Sequence, residues 1–390
     1  MIALDARRRE LLPRLEGLRA EQNDANTRIR AATDELERTR EIDAMRDVAT
    51  RAKGLEQELA AVEAELQSSL APLPNLPDPS AAPGPEDELL REVGERPALG
   101  FQARDHLELA GERIDMDRAA RLSGSRFAYL KGELVMLELA LVQWALTKLA
   151  SYGFEPVIPP VLVRERALYG TGFLPDTEQQ IYALPEDELF LVGTSEVALA
   201  SLHEEEILEA ARLPLRYAGF SPCFRREAGA AGKDTRGIIR VHQFDKVEMF
   251  SFVEPEHSQA EHERILAIEE EILGELGLPY RVLNIAVTDL GNSAAKKYDC
   301  EAWLPSQQTY RELTSCSNTT DYQARRLNIR MRREKRTQTL HTLNGTAVAV
   351  GRTIVALLEN GQRADGSVDL PACLARHGAP ALLQPAPPGK

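Results

Sequence analysis

Two runs of apolar residues near the start of the chain repeat in alternating steps of four and three residues. Polar Gln22 takes one position of the first run, and every position of the second run is apolar. This spacing is the heptad seam of a coiled coil. The apolar positions are Leu11, Leu15, Leu18, Ala25, Ile29, Ala32 and Leu36 in the first run and Met45, Val48, Ala52, Leu55, Leu59, Val62 and Leu66 in the second.

The polar stretch Thr39–Asp43 separates the two runs and is predicted to be a turn. Two helices joined by such a turn form an antiparallel hairpin, so we predict a coiled-coil arm over residues 1–70. Pro13 interrupts the first run and should kink the helix or mark its start. At ~1.5 Å per residue, roughly 28 residues would project about 40 Å.

Prolines occur at seven positions in the next segment, residues 71–97. Because proline removes a backbone donor and fixes φ, helix is excluded there and we predict a linker. At the other end, residues 379–390 are rich in proline and alanine, and we expect a disordered tail.

The long segment between them, residues 98–378, intermixes helical and strand patterns without a regular strand–helix–strand alternation. The strand pairs are of antiparallel type, so we predict an α+β domain. The strand-like runs are Glu188–Val192, Leu215–Arg226, Val241–Val253 and Tyr280–Val287, and the long helical runs are Glu133–Ala150, Pro255–Leu276 and Val350–Asn360.

The formal net charge of −14 argues against a nucleic-acid partner only if the charge is spread evenly. Through Arg40, the first helical segment carries nine arginines against eight acidic residues, so the acidity lies elsewhere. No stretch approaches about 18 uninterrupted apolar residues, and no transmembrane helix is expected. The N-terminus has no apolar core region behind its arginines, so it is not a secretory signal, and we expect a cytoplasmic protein.

The four cysteines form no CxxC pair, and the seven histidines show no HxxxH spacing. We therefore expect neither structural zinc nor disulfides. Common nucleotide-binding signatures are also missing. Residues 229–234 (GAAGKD) are too short for a phosphate loop and have Asp234 where Ser or Thr should bind magnesium, and Gly170-Thr-Gly172 lacks a third glycine.

A stronger constellation surrounds a predicted strand pair. Phe224-Arg225-Arg226-Glu227 ends one strand-like run, a Gly-rich loop holding Lys233, Asp234 and Arg236 follows, and a second run begins at Arg240. Arginines at the base and loop of this hairpin can clamp phosphates. A solvated hairpin with ordinary ion pairs is an equally good interpretation of these residues alone.

A second segment, Asn344–Thr353, runs through small residues and Arg352 into an apolar helix. Small residues allow a ligand to approach closely, and the arginine supplies one charge. A glycine-containing junction between a strand and a helix would look the same.

Together these segments resemble motifs 2 and 3 of class II aminoacyl-tRNA synthetases, and Gly153-Phe154 with Pro160 resembles motif 1, which lies at the dimer interface in that class. Four further strings are similar to the seryl-tRNA synthetase family: Thr194-Ser195-Glu196, Arg240–Glu248, Tyr310–Asn318 and His341–Asn344. The resemblance covers nearly the whole chain. It implies a homodimer with a catalytic core built on an antiparallel sheet, which joins serine to tRNA(Ser), and also to tRNA(Sec), through an adenylate made from ATP.

For ATP, the resemblance implies that Arg225 neutralises the α-phosphate and Arg352 holds the outer phosphates, both as catalytic residues. Glu227 would face the adenine amino group, and Arg236 would close over the phosphates. Glu312 and Ser315 would hold Mg²⁺ together with ATP, since oxygen ligands suit that cation. The remaining residues implied at the ATP site are Arg226, Val241, His242, Gln243, Phe244, Leu313 and Thr314.

For serine, the resemblance implies a small polar pocket. A carboxylate there can accept hydrogen bonds from both the ammonium and the hydroxyl of serine, and a site built for a hydroxyl rejects an analogue that lacks it. From the residues alone, Glu248 could equally form a strand salt bridge with Lys246. The implied serine residues are Thr194, Ser195, Glu196, Glu248 and Thr346.

In this family the hairpin arm grips the long variable arm of the tRNA, mainly through its backbone; a dimerisation coiled coil is the plainer alternative. Two rival functions stay open: a paralogue that transfers serine to a non-tRNA acceptor, and a non-catalytic tRNA-binding protein. The chain departs from the family at Ala347 and Ala349, where the general form of motif 3 has glycines, and it begins almost at the hairpin, where the family has further residues.

Overall fold

The computed structural model describes residues 1–31, 34–175, 180–228, 232, 234 and 236–386. The chain divides into two compact units, Met1–Leu73 and Pro74–Lys390.

The first unit is the predicted antiparallel helical hairpin, made of α1 (Ile2–Ala31) and α2 (Glu35–Leu70). Paired side chains confirm the antiparallel direction: the Arg7 Nε donates to Glu58 at 3.0 Å near the open end, and Arg28 approaches Glu41 at 3.2 Å near the turn. The residues buried in the seam are Leu11, Leu15, Leu18, Ala25, Val48 and Ala52, all from the predicted heptad positions.

The predicted turn at Thr39–Asp43 is wrong, because these residues lie inside α2. The helix begins earlier because Asp34 caps it, accepting a hydrogen bond from the Leu36 backbone N–H at 3.2 Å. Leu36 is 63% exposed and does not join the seam, and Ala32 lies outside the described residues. Pro13 lies inside α1 and does not mark its start.

The second unit is an α+β domain built on an eight-stranded sheet in the order β1-β11-β12-β13-β16-β10-β9-β4. Its neighbouring strands pair antiparallel, except for the parallel pair β4–β9. Smaller sheets flank it in the orders β15-β14-β8, β5-β7-β6, β17-β18 and β2-β3. In chain order the strands are β1 Glu88–Val93, β2 Ile114–Asp115, β3 Tyr129–Leu130, β4 Glu155–Val157, β5 Leu162–Val163, β6 Ala183–Leu184, β7 Leu189–Leu191, β8 Ile207–Glu209, β9 Leu215–Phe224, β10 Gln243–Val253, β11 Tyr280–Asn284, β12 Lys296–Leu304, β13 Thr309–Thr320, β14 Arg330–Arg333, β15 Arg336–Thr339, β16 His341–Ala349, β17 Val368–Asp369 and β18 Leu382–Leu383.

The predicted hairpin is present, with β9 and β10 paired from Phe224 opposite Gln243 to Leu215 opposite Phe252. Both strands are shorter than predicted, since Arg225, Arg226 and Val241 belong to the connecting loop.

The remaining helices begin close to the predicted positions, and α5 and α8 pack against one face of the large sheet. By length and composition α5 could cross a membrane, but its Leu134, Leu137, Leu141 and Leu149 are buried in the domain core, so we interpret it as a core helix. The helices are α3 His106–Ala110, α4 Met116–Ser123, α5 Glu133–Ser151, α6 Glu165–Thr171, α7 Glu196–Ala200, α8 Ser258–Glu275, α9 Tyr322–Arg326, α10 Val350–Asn360 and α11 Ala372–Ala375.

Two predicted boundaries differ from the structure. The second half of the predicted linker contains β1, which pairs with β11 at the edge of the large sheet, because the stretch between Pro85 and Pro97 has no proline to interrupt a strand ladder. The tail predicted to be disordered from residue 379 contains β18, which pairs with β17, because Leu383 is buried against the core. Residues 387–390 lie outside the described residues.

A buried ion pair joins α8 to the sheet and generates a stability prediction. Glu261 accepts two hydrogen bonds from Arg216 on β9, at 2.6 and 2.7 Å, and one from Ser251 on β10, at 2.8 Å. Glu261→Gln leaves the Arg216 charge without its partner in a largely dry site, so we expect a loss of about 2–4 kcal/mol in the free energy of unfolding, measured by urea titration at pH 7. On the same helix, Glu271 is half exposed in its pair with Lys148, so Glu271→Gln should cost about 0.5 kcal/mol or less.

The same pair predicts a pH dependence. Burial raises the pKa of Glu261, but the hydrogen bonds and charge of Arg216 bring it below the ordinary value of 4.5. A carboxylate with a lowered pKa in the folded protein stabilises above its unfolded pKa, and this stabilisation is lost as the pH falls through the folded pKa. The difference between the wild-type chain and Glu261→Gln should therefore be largest near neutral pH and shrink below about pH 4.5. A difference that stays constant down to pH 3 would contradict the assignment.

Candidate active site

A cavity opens on the large sheet. Its lining combines charged, hydroxyl-bearing and apolar side chains from strands, loops and the start of α10. The lining residues are Phe173, Thr194, Glu196, Arg225, Glu227, Ile238, Ile239, Arg240, Val241, Phe244, Lys246, Glu248, Leu290, Ser293, Ala294, Lys297, Glu312, Leu313, Ser315, Ser317, Asn344, Thr346, Ala349, Gly351 and Arg352.

Strand geometry decides which side chains reach the cavity. Successive residues of a strand point to opposite faces, so on β10 Lys246 and Glu248 line the cavity while Val247 and Met249 are buried in the core. Glu248 lies opposite Thr346 on the neighbouring strand β16, and the Thr346 hydroxyl donates to its Oε2 at 3.5 Å.

One end of the cavity is acidic and deeply buried. Glu196 and Glu248 line it, and the Lys246 ammonium forms an ion pair with Glu248 on the same strand. Glu196 accepts a hydrogen bond from Gln323 at 2.7 Å, and the Thr194 hydroxyl accepts from the Glu196 backbone N–H at 3.2 Å. Burial, together with the nearby Glu248, raises the pKa of Glu196 to about 7. This carboxylate lies in a polar pocket and forms no ion pair with any described residue.

The other end is cationic. The Arg225 guanidinium lies 5.3 Å from the centre of the Phe244 ring, and its Nε donates to the Gly193 carbonyl at 3.1 Å. Arg352 is held by two carbonyl oxygens, those of Ile239 at 3.2 Å and Glu312 at 3.0 Å. These hydrogen bonds fix two planar cations at the cavity wall, in a form suited to bidentate binding of phosphate.

Glu312 lies between these cations. Burial raises its pKa, but Arg352, Lys297 and Arg225 together hold it below the ordinary value of 4.5, so the carboxylate is ionised at neutral pH. An ionised carboxylate and the hydroxyl of Ser315 therefore line the cavity near its cationic end.

A buried histidine fixes the returning end of the loop between β9 and β10. The Ile238 backbone N–H donates to His106 Nε2 at 3.2 Å, and His106 Nδ1 lies 3.4 Å from Glu359 Oε1 on α10. Gly237 has a φ of +85°, and a Cβ at this position would lie 2.1 Å from His106 Nε2. The contact therefore positions Ile238 and Ile239, which line the cavity, and the Ile239 carbonyl accepts a hydrogen bond from Arg352.

Comparison with known proteins matches each of the two units to a family model. The family model of the seryl-tRNA synthetase N-terminal domain matches residues 1–77, and that of the tRNA synthetase class II core domain (G, H, P, S and T) matches residues 181–361. Serine–tRNA ligases of Acidothermus cellulolyticus and Streptomyces coelicolor are each 51% identical to this chain, over 98% and 99% of it and 92% of their own lengths. The chain belongs to the seryl-tRNA synthetase family.

Solved structures agree with this membership. The seryl-tRNA synthetase from Pyrococcus horikoshii complexed with ATP matches with a TM-score of 0.87 and 40% identity, covering 99% of this chain and 93% of that one. The cytoplasmic serine–tRNA ligase from Naegleria fowleri in complex with AMP matches with a TM-score of 0.83 and 28% identity, covering 98% and 92%. The expectation of a class II fold in this family is confirmed.

Most site residues implied by the family resemblance meet in the cavity. They come from segments more than 150 residues apart in the chain, from Thr194 to Arg352. The implied residues that line it are Thr194, Glu196, Arg225, Glu227, Val241, Phe244, Glu248, Glu312, Leu313, Ser315, Thr346 and Arg352.

Three implied residues line other surfaces or the opposite face of the sheet. Arg236 lies on a neighbouring surface pocket, 3.7 Å from Asp105. Gln243 lines another groove, and the Thr314 hydroxyl donates to the buried Glu269 of α8 at 2.8 Å, because Thr314 faces away from the cavity.

Three others support the site from behind its lining. The buried Ser195 hydroxyl donates to the Gly219 carbonyl at 3.4 Å. His242 Nδ1 lies 2.9 Å from the Arg225 carbonyl, and the Arg226 backbone N–H donates to the Gln180 carbonyl at 2.8 Å. These contacts hold the backbone beside Arg225.

Sequence reasoning missed several lining residues. Lys246 could have been identified, since it is two positions from Glu248 and shares its strand face. Lys297, Ser293 and Phe173 come from segments outside the matched motifs, and only the tertiary fold brings them to the cavity.

The contact between Gly237 and His106 can be tested with a second glycine of the same loop. Gly232 also has a positive φ of +80°, but among the residues that the structure describes no atom lies within 4 Å of a Cβ built there. Both alanine substitutions carry the backbone strain, and only Gly237→Ala also displaces His106 from Ile238. We expect Gly237→Ala to cost about 2 kcal/mol more in the free energy of unfolding than Gly232→Ala, and to speed hydrogen exchange of the Ile238 amide. Equal losses would show that His106 does not constrain the loop.

Proposed function

We propose that the chain binds ATP and L-serine in this one cavity, forms seryl-adenylate, and transfers the seryl group to tRNA. The observation that carries the proposal is the division of charge in the cavity, which places two carboxylates at one end and two fixed guanidinium groups at the other. A serine ammonium group fits the first end and a triphosphate fits the second. The complexes of the two structural relatives with ATP and AMP support the nucleotide.

The reaction consists of two displacements. A serine carboxylate oxygen attacks the α-phosphorus of ATP, the bond to the bridging oxygen breaks, and pyrophosphate leaves. A 3′-terminal ribose hydroxyl of the tRNA then attacks the adenylate carbonyl, and AMP leaves with the bonding electron pair. Because no side chain becomes covalently attached, positioning and electrostatic stabilisation must supply the rate enhancement.

At the ATP end, Arg225 is positioned to neutralise charge on the α-phosphate and Arg352 to hold the outer phosphates. Phe244 and Val241 offer an apolar wall to the adenine ring, and Glu227 can accept from its amino group. Arg236, which lies outside the cavity beside Asp105, would have to move to reach the phosphates. In this proposal Arg225 and Arg352 are the catalytic residues.

Magnesium fits the same end. Glu312 is ionised and Ser315 offers a hydroxyl, and both are oxygen donors of the kind that Mg²⁺ takes beside substrate phosphates. When bound, the ion would neutralise phosphate charge and orient the leaving pyrophosphate. Lys297 and Arg352 flank Glu312, so this chain also supplies its own charge neutralisation there.

At the serine end, Glu196, Glu248, Thr194 and Thr346 form the small polar pocket, with Ser195 behind it. The carboxylates can accept from the ammonium and hydroxyl groups of serine. Alanine would leave the partners of the hydroxyl unpaired, which is how a hydroxyl-binding site rejects such an analogue. Threonine would be excluded by the lack of space.

For the tRNA, the helical hairpin supplies the long surface. We propose that it contacts tRNA(Ser), and also tRNA(Sec), mainly through phosphates and sugars. Such a substrate is found in the cytoplasm, which is where we place the protein.

We also propose a homodimer, because apolar residues of the second unit remain exposed. Met136 and Leu139 project from α5 on the side away from the core, and Ile158, after β4, is 81% exposed. Exposed apolar side chains mark an interaction surface where they lie together. In the class II resemblance, motif 1 lies at the dimer interface, and it includes the segment from Gly153 to Pro160.

The proposal is tested by pyrophosphate exchange that depends on serine, followed by charging of purified tRNA. Exchange without charging of any tRNA would favour a paralogue with another acceptor, and charging absent together with exchange would favour a non-catalytic protein.

Arg225→Ala should reduce the rate of serine-dependent pyrophosphate exchange by about 10²–10³-fold, because one preorganised donor is lost from the developing charge at phosphorus. Arg363→Ala is the matched control: it removes an arginine that is half exposed in a pair with Asp369, and exchange should stay within about twofold of wild type. An Arg225→Ala rate within tenfold of wild type would show that Arg225 has a structural role.

Removal of residues 1–70 should separate the two steps. Because the adenylate-forming residues all follow Thr194 and belong to the second compact unit, serine-dependent exchange should remain within a few-fold of wild type. Charging of tRNA should be lost, since the hairpin surface is gone. Tight tRNA binding by the intact chain should also weaken as salt rises, because phosphate contacts release counterions. Normal charging by the truncated chain would exclude a tRNA role for the hairpin and favour the plain coiled coil.

A further inference from the structure

Behind the acidic end of the cavity lies a chain of buried polar side chains that starts at Gln323 on α9. Gln323 is fully buried and does not line the cavity. Its Nε2 donates to Glu196 Oε1 at 2.7 Å, so it contacts the carboxylate from the side opposite to a ligand.

Two threonines fix the direction of the Gln323 amide. The Thr319 hydroxyl lies 2.6 Å from the Thr342 hydroxyl and 2.7 Å from the Thr342 carbonyl oxygen. When the Thr319 proton points at the Thr342 hydroxyl, the single proton of Thr342 is left to donate to Gln323 Oε1 at 2.9 Å. Because the amide oxygen is used on that side, the amide NH₂ group must point at Glu196. Both threonines are fully buried, so water does not compete for these bonds.

Glu196 depends on these donors because it has no cation of its own. Among the described residues, the charged groups that face it are Glu248 and Lys246 on β10, and Lys246 is paired with Glu248. The amide groups of Gln323 and Asn344 are hydrogen-bond donors to Glu196. Hydrogen bonds to an ionised carboxylate favour its charged form, and here they act against both burial and a second carboxylate.

We infer that Gln323, held by Thr342 and Thr319, is a positioning residue that keeps Glu196 ionised and aimed into the cavity, and that it thereby sets the pH range over which the ammonium group of the amino acid is bound. The inference rests on the proposed function, in which the acidic end receives serine. It adds a residue that touches neither serine nor ATP but controls how the pocket responds to pH.

The test is the pH dependence of kcat/KM for serine in pyrophosphate exchange, measured from pH 6 to pH 8.5 with saturating ATP. Gln323→Met keeps the length of the side chain and removes both hydrogen bonds. With the pKa of Glu196 at about 7 in the wild-type chain, loss of this donor should move the midpoint of the profile upward by about one unit. That shift corresponds to about fivefold lower kcat/KM at pH 7 and a return to within about twofold of wild type at pH 8.5. The KM for ATP should stay within about twofold, since the cationic end is unchanged.

Two further variants keep the test decisive if Gln323→Met folds poorly. Thr342→Val leaves Gln323 in place but removes the donor that orients it, so the midpoint should move in the same direction by less. Gln323→Glu places a second acid against Glu196 and should move the midpoint further upward than Gln323→Met. Gln362→Met is the matched control, because Gln362 is another buried glutamine, bonded to the backbone of Arg104 and Glu359, and its loss should leave the midpoint unchanged.

The outcomes are distinct. An upward shift in the Gln323 and Thr342 variants, with the Gln362→Met midpoint at the wild-type value, supports the inference. A uniform fall in kcat/KM with an unmoved midpoint, or an equal rise in the KM for ATP, would show a structural role and overturn it. Absence of serine-dependent exchange in the wild-type chain at every pH would instead overturn the proposed function.

Discussion

The site depends on holding two carboxylates, Glu196 and Glu248, close together in a buried pocket. Removing one charge from water costs several kcal/mol, and a second like charge adds to that cost. The fold meets the two costs differently. Glu248 has the Lys246 ammonium beside it on the same strand, whereas Glu196 has only uncharged amide donors, and its pKa of about 7 reflects the weaker compensation. Glu248 therefore has a cationic partner, whereas Glu196 is balanced between its protonated and ionised forms near neutral pH.

The position of Glu248 depends on a rigid sheet, and packing of the core against the opposite face of the sheet makes it rigid. The apolar neighbours of Lys246 and Glu248 on β10 pack beneath α5 and α8, so the positions of the charged groups are set by core packing. At the other end of the cavity, carbonyl oxygens hold both Arg225 and Arg352, and Arg352 also lies 3.5 Å from the Glu312 carboxylate. Arg225 forms no ion pair with any described residue, so its charge is kept for a ligand. The result is a dipolar cavity whose polarity matches a molecule with an ammonium group at one end and phosphates at the other.

Much of this architecture could be predicted from the sequence, where local rules apply. The heptad positions predicted the hairpin seam, and the two strand-like runs predicted the β9–β10 pair, which carries Glu248 and is followed by Arg225 in the connecting loop. The turn of the arm was predicted too late in the chain, because the capping residue Asp34 sets the start of α2 and the longer polar stretch at Thr39–Asp43 does not. Family motifs named about half of the residues that line the cavity, but a motif does not show which way a side chain points. Thr314 lies within a matched string and still faces α8. Lys297 and Gln323 follow from the tertiary fold alone, since no local pattern ties them to the site.

The pairing of Lys246 with Glu248 also bears on how such a pocket can evolve. A single substitution at either position leaves the other charge buried without its partner. The loss of several kcal/mol in the free energy of unfolding is a large part of the about 5–15 kcal/mol by which a folded protein is stable. A variant with only one of the two residues substituted would therefore fold poorly. A shift to another amino acid would need both positions to change together, or a stabilising substitution elsewhere beforehand. The ion pair therefore makes it difficult for the amino-acid specificity of the pocket to change through single substitutions.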